Sequence, residues 1–342
     1  MVILILLVAF FTSYISIYLL LKLPSKMSAL DKPNHRSLHT TPISRLGGIG
    51  ILIGAAVAYG LLMFESLPAD NTLLVVSGLL IIATISFLDD IYSLGSLLRM
   101  IVQISAAVLV VYAGFVIDVL SSAWFTLHLS MFTAALLTLV YIVWMVNLYN
   151  FMDGIDGLAG GMAIFGFGTL AVIGFMEGQF TFAVYSLVIA SSSLGFLFWN
   201  YPPARIFMGD SGSSSLGFLA ATFSIWAHVN DIAPIWISLV VFSPFIVDAT
   251  VTLFIRVARR ERFWAAHKTH HYQLLAESGM SRKKLVNFEY VLMLVCSCIA
   301  IITHNASSKV HVFFIISIFI MYVVLIIYIR KLPAKPVELG EI

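Results

Sequence analysis

Eleven apolar runs punctuate this chain, near residues 2–22, 46–64, 72–88, 98–117, 130–149, 158–176, 180–199, 212–229, 233–255, 286–303 and 310–329. A helix crossing a bilayer needs roughly 17–25 apolar residues, and each run meets that length. Of 342 residues, 61% are hydrophobic and only 11% charged, far outside the range of a water-soluble domain. The expectation is an all-α polytopic membrane protein with about eleven transmembrane helices, organised as one integral membrane domain over residues 1–342. No internal repeat, low-complexity segment or soluble domain breaks the pattern.

Orientation follows from the basic residues. The first run has no Lys or Arg before it and Lys22 and Lys26 behind it, the reverse of a secretory signal. It reads as a retained helix with the N-terminus outside and, after eleven crossings, the C-terminus inside. The inner segments then carry eighteen of the 19 basic residues, leaving Lys309 alone outside, as the positive-inside rule requires. Every polar cluster falls on that inner side: 23–45, Asp89-Asp90, 147–157, 199–213 and 256–285. A site there is fed by a water-soluble substrate. Cys296 and Cys298, two apart in one apolar run, point to different sides of a helix and read as buried packing residues rather than a metal clip.

Among these clusters the stretch Asn147-Leu148-Tyr149-Asn150-Phe151-Met152-Asp153-Gly154-Ile155-Asp156-Gly157-Leu158-Ala159-Gly160-Gly161 is the densest. Its polar residues Asn147, Asn150, Asp153 and Asp156 recur every third position, and one unbroken helix would scatter them around its circumference. Gly154 and Gly157 favour a helix end followed by a glycine-hinged loop. Asp89 and Asp90 close the third run, where adjacent carboxylates repel each other unless a cation or proton intervenes. Asp210, in Phe207-Met208-Gly209-Asp210-Ser211-Gly212-Ser213, leads into the eighth run, whose helix N-terminus offers backbone amides to an anion. No Walker lysine accompanies it.

Five inner carboxylates exceed what one magnesium ion takes, since it binds one or two and completes its shell with phosphates and water. The others are left for a base or for contacts to a nucleobase or sugar. An oxygen-rich set of this kind indicates neither zinc nor copper. The loop Arg256, Arg259, Arg260, Arg262, His267, Lys268, His270 and His271 suits a polyphosphate clamp, and on a helix the three histidines would share a face. Loop 31–48 adds Arg36, His39 and Arg45 for phosphate, with Gly47 and Gly48 opening the second run and offering amides. Each cluster alone also fits an ordinary membrane-boundary loop. Asp248, inside the ninth run, is a functional candidate or is neutralised by Arg256; both readings stand at this stage.

Taken together, the Asn147–Gly161 stretch, Phe207–Gly212, Asp89-Asp90 and His-x-x-His-x-Tyr-Gln over 267–273 resemble the polyprenyl-phosphate N-acetylhexosamine-1-phosphate transferase family, glycosyltransferase family 4. The resemblance runs from Asp31 to Gln273. It implies transfer of an N-acetylated amino-sugar 1-phosphate from a UDP-sugar to undecaprenyl phosphate, with release of UMP. By this resemblance Asp89 and Asp90 are a catalytic acidic pair, and Asn150 and Asp153 position the lipid phosphate or the diphosphate. Asp210 is similar to the family's Mg2+ ligand, with Mn2+ as a substitute. Asn147, Asp156, Asn200, Phe207, Arg36, His39, Arg45, His267, His270 and His271 become substrate-binding candidates, with Asp156 towards uridine and Phe207 against uracil. A homodimer, the lipid bilayer as environment and no nucleic-acid partner complete the expectation.

Two departures matter. The peptidoglycan-precursor branch has three consecutive histidines followed by Phe-Glu, whereas this chain is similar to O-antigen-initiating transferases of the bacterial inner membrane. Ser93 stands where the acidic motif often continues with another Asp. The phospho-N-acetylmuramoyl-pentapeptide transferase of peptidoglycan synthesis is the alternative. An ion-coupled transporter is more remote, because transporters set ionisable groups at mid-membrane and these cluster at one face. The sugar stays open among N-acetylglucosamine, N-acetylgalactosamine and a 6-deoxy amino sugar.

Overall fold

The computed structural model describes residues 1–23, 29–31, 42–63, 70–121, 125–261 and 268–333. Thirteen helices make up nearly all of it: α1 Val2–Leu20, α2 Gly47–Met63, α3 Asp70–Tyr92, α4 Ser96–Tyr112, α5 Met131–Met152, α6 Leu158–Met176, α7 Phe180–Asn200, α8 Gly209–Val229, α9 Ile235–Val241, α10 Ser243–Ala258, α11 His271–Glu277, α12 Arg282–His304 and α13 Ser308–Lys331. Two antiparallel two-stranded ribbons accompany them, β1 Leu30–Asp31 with β2 Ile43–Ser44, and β3 Val119–Ser121 with β4 Thr126–His128. The protein is an all-α, multi-pass membrane protein.

Each apolar run coincides with helix. Among the described residues, seven helices are long and apolar enough to cross a membrane, and the α9–α10 pair makes an eighth if it counts as one span. The remaining runs fall on α2 and α4, at 17 residues each, and on α8. Over 233–255 the helix is not continuous: α9 and α10 meet at 83°. The break sits at Phe242, and Pro244 in the first turn of α10 supplies no N–H to continue α9.

The centre of the bundle is α8. Its residues Ser211 to Phe223 are buried without exception, and it packs against α5, α3 and α2. Small residues make this possible. Gly217 lies against the α5 backbone at Met145 and Val146, and Gly48 of α2 meets Gly212 with no room for a Cβ on either. Ser213 and Ser215 return their hydroxyls to the carbonyls of Gly209 and Ser211, so their polarity is satisfied within the helix. This low hydropathy is tolerated because protein, not lipid, surrounds the helix. Around it the core gathers Tyr149, Phe167, Phe182, Phe218, Phe242 and Phe245. Cys296 is buried, hydrogen-bonded with Ser243 and Tyr322, but Cys298 is exposed on the outer surface of α12, correcting the expectation that both are buried. Two positions apart on a helix cannot both face the same core.

Candidate active site

The ends of α3, α5 and α7 and the starts of α2, α4, α6 and α8 meet at one end of the bundle. There Asp90, in the last turn of α3, accepts the backbone N–H of Asp210 at 2.8 Å and of Ser211 at 3.0 Å, one on each carboxylate oxygen. The start of α8 is therefore an anion site, as its sequence suggested, but the anion is the protein's own. Gly209 makes this approach possible: its φ is 74°, and a Cβ there would collide with the Arg45 carbonyl and the Asp90 carboxylate. The amides of Gly47 and Gly48 are likewise committed, to the carbonyls of Phe207 and Met208 at 2.9 and 2.8 Å. That corrects the expectation that they face phosphate.

Asp89 is buried and accepts the N–H of Leu94 and the guanidinium of Arg99, the latter at 2.7 Å. The same Arg99 nitrogen lies 3.0 Å from Asp210. Arg99, on α4, thus ties Asp89 of the acidic pair to Asp210 at the start of α8 without any part in those motifs.

 Sequence reasoning counted Arg99 only as a topological charge. It lies ten residues from Asp89, in the first turn of α4, and carried no motif to mark it.

The end of α5 supplies the next layer. Asn150 donates to the Ser213 hydroxyl at 3.0 Å, which joins α5 to the first turns of α8. Asp153 follows the last helical residue, and its N–H reaches back to the Asn150 carbonyl at 3.2 Å. Burial pushes the Asp153 carboxyl well above the usual carboxylate range, and the charges of Asp210, Asp90 and Asp156 push it further, with Arg45 opposing them. Four of the five inner carboxylates therefore sense one another at this point, and Arg99 carries the fifth, Asp89, to Asp210.

Several expected substrate contacts are occupied within the protein. Asn147 donates to Gln103 and to the Val143 carbonyl, both at 2.7 Å, and so pins α5 to α4. Asn200 accepts from Gly157 N–H and donates to the Ile206 carbonyl, both at 2.8 Å, stitching the 153–157 loop to the 201–208 loop. Buried Asp156 accepts from Ala204 N–H at 3.1 Å and pairs with Arg282 at 3.4 Å. Gly157, at φ 80°, is the hinge that turns the chain from this loop into α6. Arg45 pairs with Asp31 at 2.7 Å. Phe207 is half-buried, and its backbone N–H donates to the Ser44 carbonyl at 2.8 Å. Arg36, His39 and His267 lie outside the described residues.

The histidine segment reaches the site from below α10. His270 is the residue before α11 and His271 the first within it, so of the two only His271 lies in the helix. Both side chains are buried and turn to Asp248, His271 Nδ1 at 3.0 Å and His270 Nδ1 at 3.4 Å. Asp248 also accepts the backbone N–H groups of His271 and Tyr272, at 2.8 and 3.0 Å. Arg256 pairs instead with Glu261 at 2.9 Å, and Arg330 of α13 approaches His271 Nε2 at 3.3 Å. The intramembrane acid is thus the anchor of the histidine segment.

The donor set suits a hard divalent cation, because every candidate ligand at the α3, α5 and α8 ends is a carboxylate or amide oxygen. Among the described residues, no group of three or more His, Cys, Asp or Glu side chains is placed to hold a metal ion by itself. Asp210 and Asp153 could offer carboxylates to such a cation, since Asp90 is engaged by the α8 amides.

Comparison with known proteins agrees with this architecture. The family model described as Glycosyl transferase family 4 matches residues 72–228. A probable undecaprenyl-phosphate N-acetylglucosaminyl 1-phosphate transferase of Bacillus subtilis is 30% identical over 326 residues, covering 93% of this chain and 89% of the relative. A decaprenyl-phosphate N-acetylglucosaminephosphotransferase of Mycobacterium tuberculosis is 30% identical over 325 residues, 84% of this chain and 77% of the relative. A phospho-N-acetylmuramoyl-pentapeptide-transferase of Clostridium botulinum is 30% identical over 263 residues, 72% of this chain and 79% of the relative. With a carboxylate-lined bundle end and similarity running along nearly its whole length, the chain belongs to the polyprenyl-phosphate N-acetylhexosamine-1-phosphate transferase family and is a glycosyl-1-phosphate transferase.

Proposed function

We propose that this enzyme transfers N-acetylglucosamine 1-phosphate from its UDP derivative to undecaprenyl phosphate, releasing UMP. The reaction takes place at the cytoplasmic face of a bacterial inner membrane and initiates a lipid-linked surface polysaccharide such as O-antigen. The observation that carries the reading is the similarity over 93% of the chain to a relative named for that sugar and that lipid. The peptidoglycan-branch relative matches a shorter part, 72%. The Tyr272-Gln273 pair, where that branch has Phe-Glu, favours the same choice.

In this reaction an oxygen of the lipid phosphate attacks the phosphorus attached to the sugar, and the bond to UMP breaks. Such transfers depend mainly on positioning and charge neutralisation. The acceptor's second proton, with a pKa near ~6, is already largely gone at neutral pH. A strong base is therefore of small value, and the geometry agrees: Asp90 is engaged by two backbone amides and Asp89 by Leu94 and Arg99. These two residues order the site. Asn150 and Asp153, at the free end of α5, orient the phosphates, and Arg99 balances the charge of Asp89 and Asp210. Asp210 and Asp153 would hold Mg2+, which when bound would supply charge neutralisation for the diphosphate.

The test is UMP release by the purified protein with undecaprenyl phosphate and a panel of donors: the UDP derivatives of N-acetylglucosamine, N-acetylgalactosamine, a 6-deoxy amino sugar and N-acetylmuramoyl-pentapeptide. The expected result is turnover with the first, abolished by EDTA and restored by Mg2+ or Mn2+. Turnover confined to the muramoyl-pentapeptide donor would overturn the reading.

A further inference from the structure

The segment His270-His271-Tyr272-Gln273 contains a phenol whose placement the transferase chemistry does not yet use. Tyr272 is 1% exposed, although its hydroxyl is polar and its neighbours on both sides are hydrophilic. Burying a hydroxyl is costly unless it finds partners, and Tyr272 has two. It donates to the Phe151 carbonyl at 3.1 Å and accepts from Gln273 Nε2 at 3.1 Å. The Gln273 carbonyl oxygen in turn accepts the His270 N–H at 3.2 Å. A single directed chain of hydrogen bonds therefore runs from the His270 backbone through Gln273 and Tyr272 to Phe151.

Both ends of that chain are meaningful. Phe151 lies in the last turn of α5, where carbonyls have no partner further along the helix, so the Tyr272 hydroxyl caps α5 from outside. Two residues beyond Phe151 stands Asp153. At the other end Asp248 holds the N–H groups of both His271 and Tyr272, which fixes the segment to α10. The rings of His270 and Tyr272 lie nearly parallel, with centroids 5.8 Å apart. Gly154 completes the fit. A Cβ there would strike the Tyr272 hydroxyl, while the Gly154 backbone is not among those with positive φ. Closeness to Tyr272, rather than backbone conformation, is thus what reserves this position for glycine.

We infer that Tyr272 is a positioning residue of the transferase: its hydroxyl docks the histidine segment onto the end of α5 and thereby sets the Asn150–Asp153 turn. A phenylalanine would fill the same volume but leave the Phe151 carbonyl and the Gln273 amide without that partner. The phenol is therefore needed for alignment, not for packing. The inference rests on the transferase reading for its kinetic readout only.

Two variants test it. In Tyr272→Phe, losing one hydrogen-bonded link should lower kcat roughly three- to tenfold, with KM for the UDP-sugar held within about twofold. Backbone amide exchange over residues 150–157 should quicken in the same protein. Gly154→Ala should be more damaging, because its methyl group meets the hydroxyl, and adding Tyr272→Phe should recover several-fold of the loss. Unaltered kcat together with unaltered exchange in Tyr272→Phe would overturn the inference. So would a double variant whose loss is simply the product of the two single losses, since that means the two residues share no contact. A wild-type protein inactive with UDP-N-acetylglucosamine would instead defeat the donor assignment, and the exchange measurement would still decide the role of Tyr272.

Discussion

Arg99 stands between Asp89 and Asp210, one guanidinium nitrogen lying 2.7 Å from the first carboxylate and 3.0 Å from the second. Its removal leaves two carboxylates facing each other without their shared cation. Hydrogen bonds to charged groups contribute about 1.5–3 kcal/mol, so Arg99→Met should lower kcat on the order of 10–100-fold. Arg99→Lys keeps the charge but loses the planar fork and should fall between. UMP release at saturating Mg2+ measures both, and wild-type turnover in Arg99→Met would reduce the pair to a surface contact.

Asp90 should reveal itself in stability as well as in rate. Its carboxylate accepts two amides at the start of α8, and an Asn can accept only one while presenting N–H to the other. Capping losses are typically about 0.5–2 kcal/mol, so Asp90→Asn should lower the melting temperature in detergent along with activity. A variant that is inactive yet melts like the wild type would instead identify Asp90 as a chemical participant.

The acidity of Asp153 has a definite sign. Its folded carboxyl titrates well above the usual range, first through burial and then through Asp210, Asp90 and Asp156. The folded state therefore holds this proton more tightly than the unfolded chain, so stability falls as pH rises from the ordinary carboxylate range through the raised value. In EDTA the wild type should lose more thermal stability than Asp153→Asn on going from pH 5 to pH 8. Added Mg2+ should stabilise the wild type more at pH 8 than at pH 5. Equal pH dependence in the two proteins would contradict this.

Sidedness is open to direct labelling. With Cys296 and Cys298 changed to Ala, a cysteine at Ser93 or Ser281 should resist a membrane-impermeant thiol reagent in intact cells, while one at Ser307 should react. Ser93 adjoins the acidic pair and Ser281 the start of α12, whereas Ser307 precedes α13 at the opposite end. Labelling of Ser93 from outside would set the carboxylates away from a cytoplasmic UDP-sugar.

What the linear chain determined by itself was the class of molecule and the roster of polar groups. Apolar run lengths demand membrane helices whatever their order, because an unsatisfied backbone cannot sit in hydrocarbon. The Asn147–Gly161 pattern likewise required a helix end and a hinge, and α5 stops at Met152 with the turn at Gly157. Helix against helix, however, is a matter of three-dimensional contact. Only there does Asp90 take the α8 amides that local sequence offered to a substrate, and only there does Asp248 find His270 and His271 rather than Arg256. Arg99 escaped the motifs, and the contact of Tyr272 with Phe151 could not be read from the motif that contains it, for the same reason: each acts on a residue more than a hundred positions away, and no spacing along the chain records such a pairing.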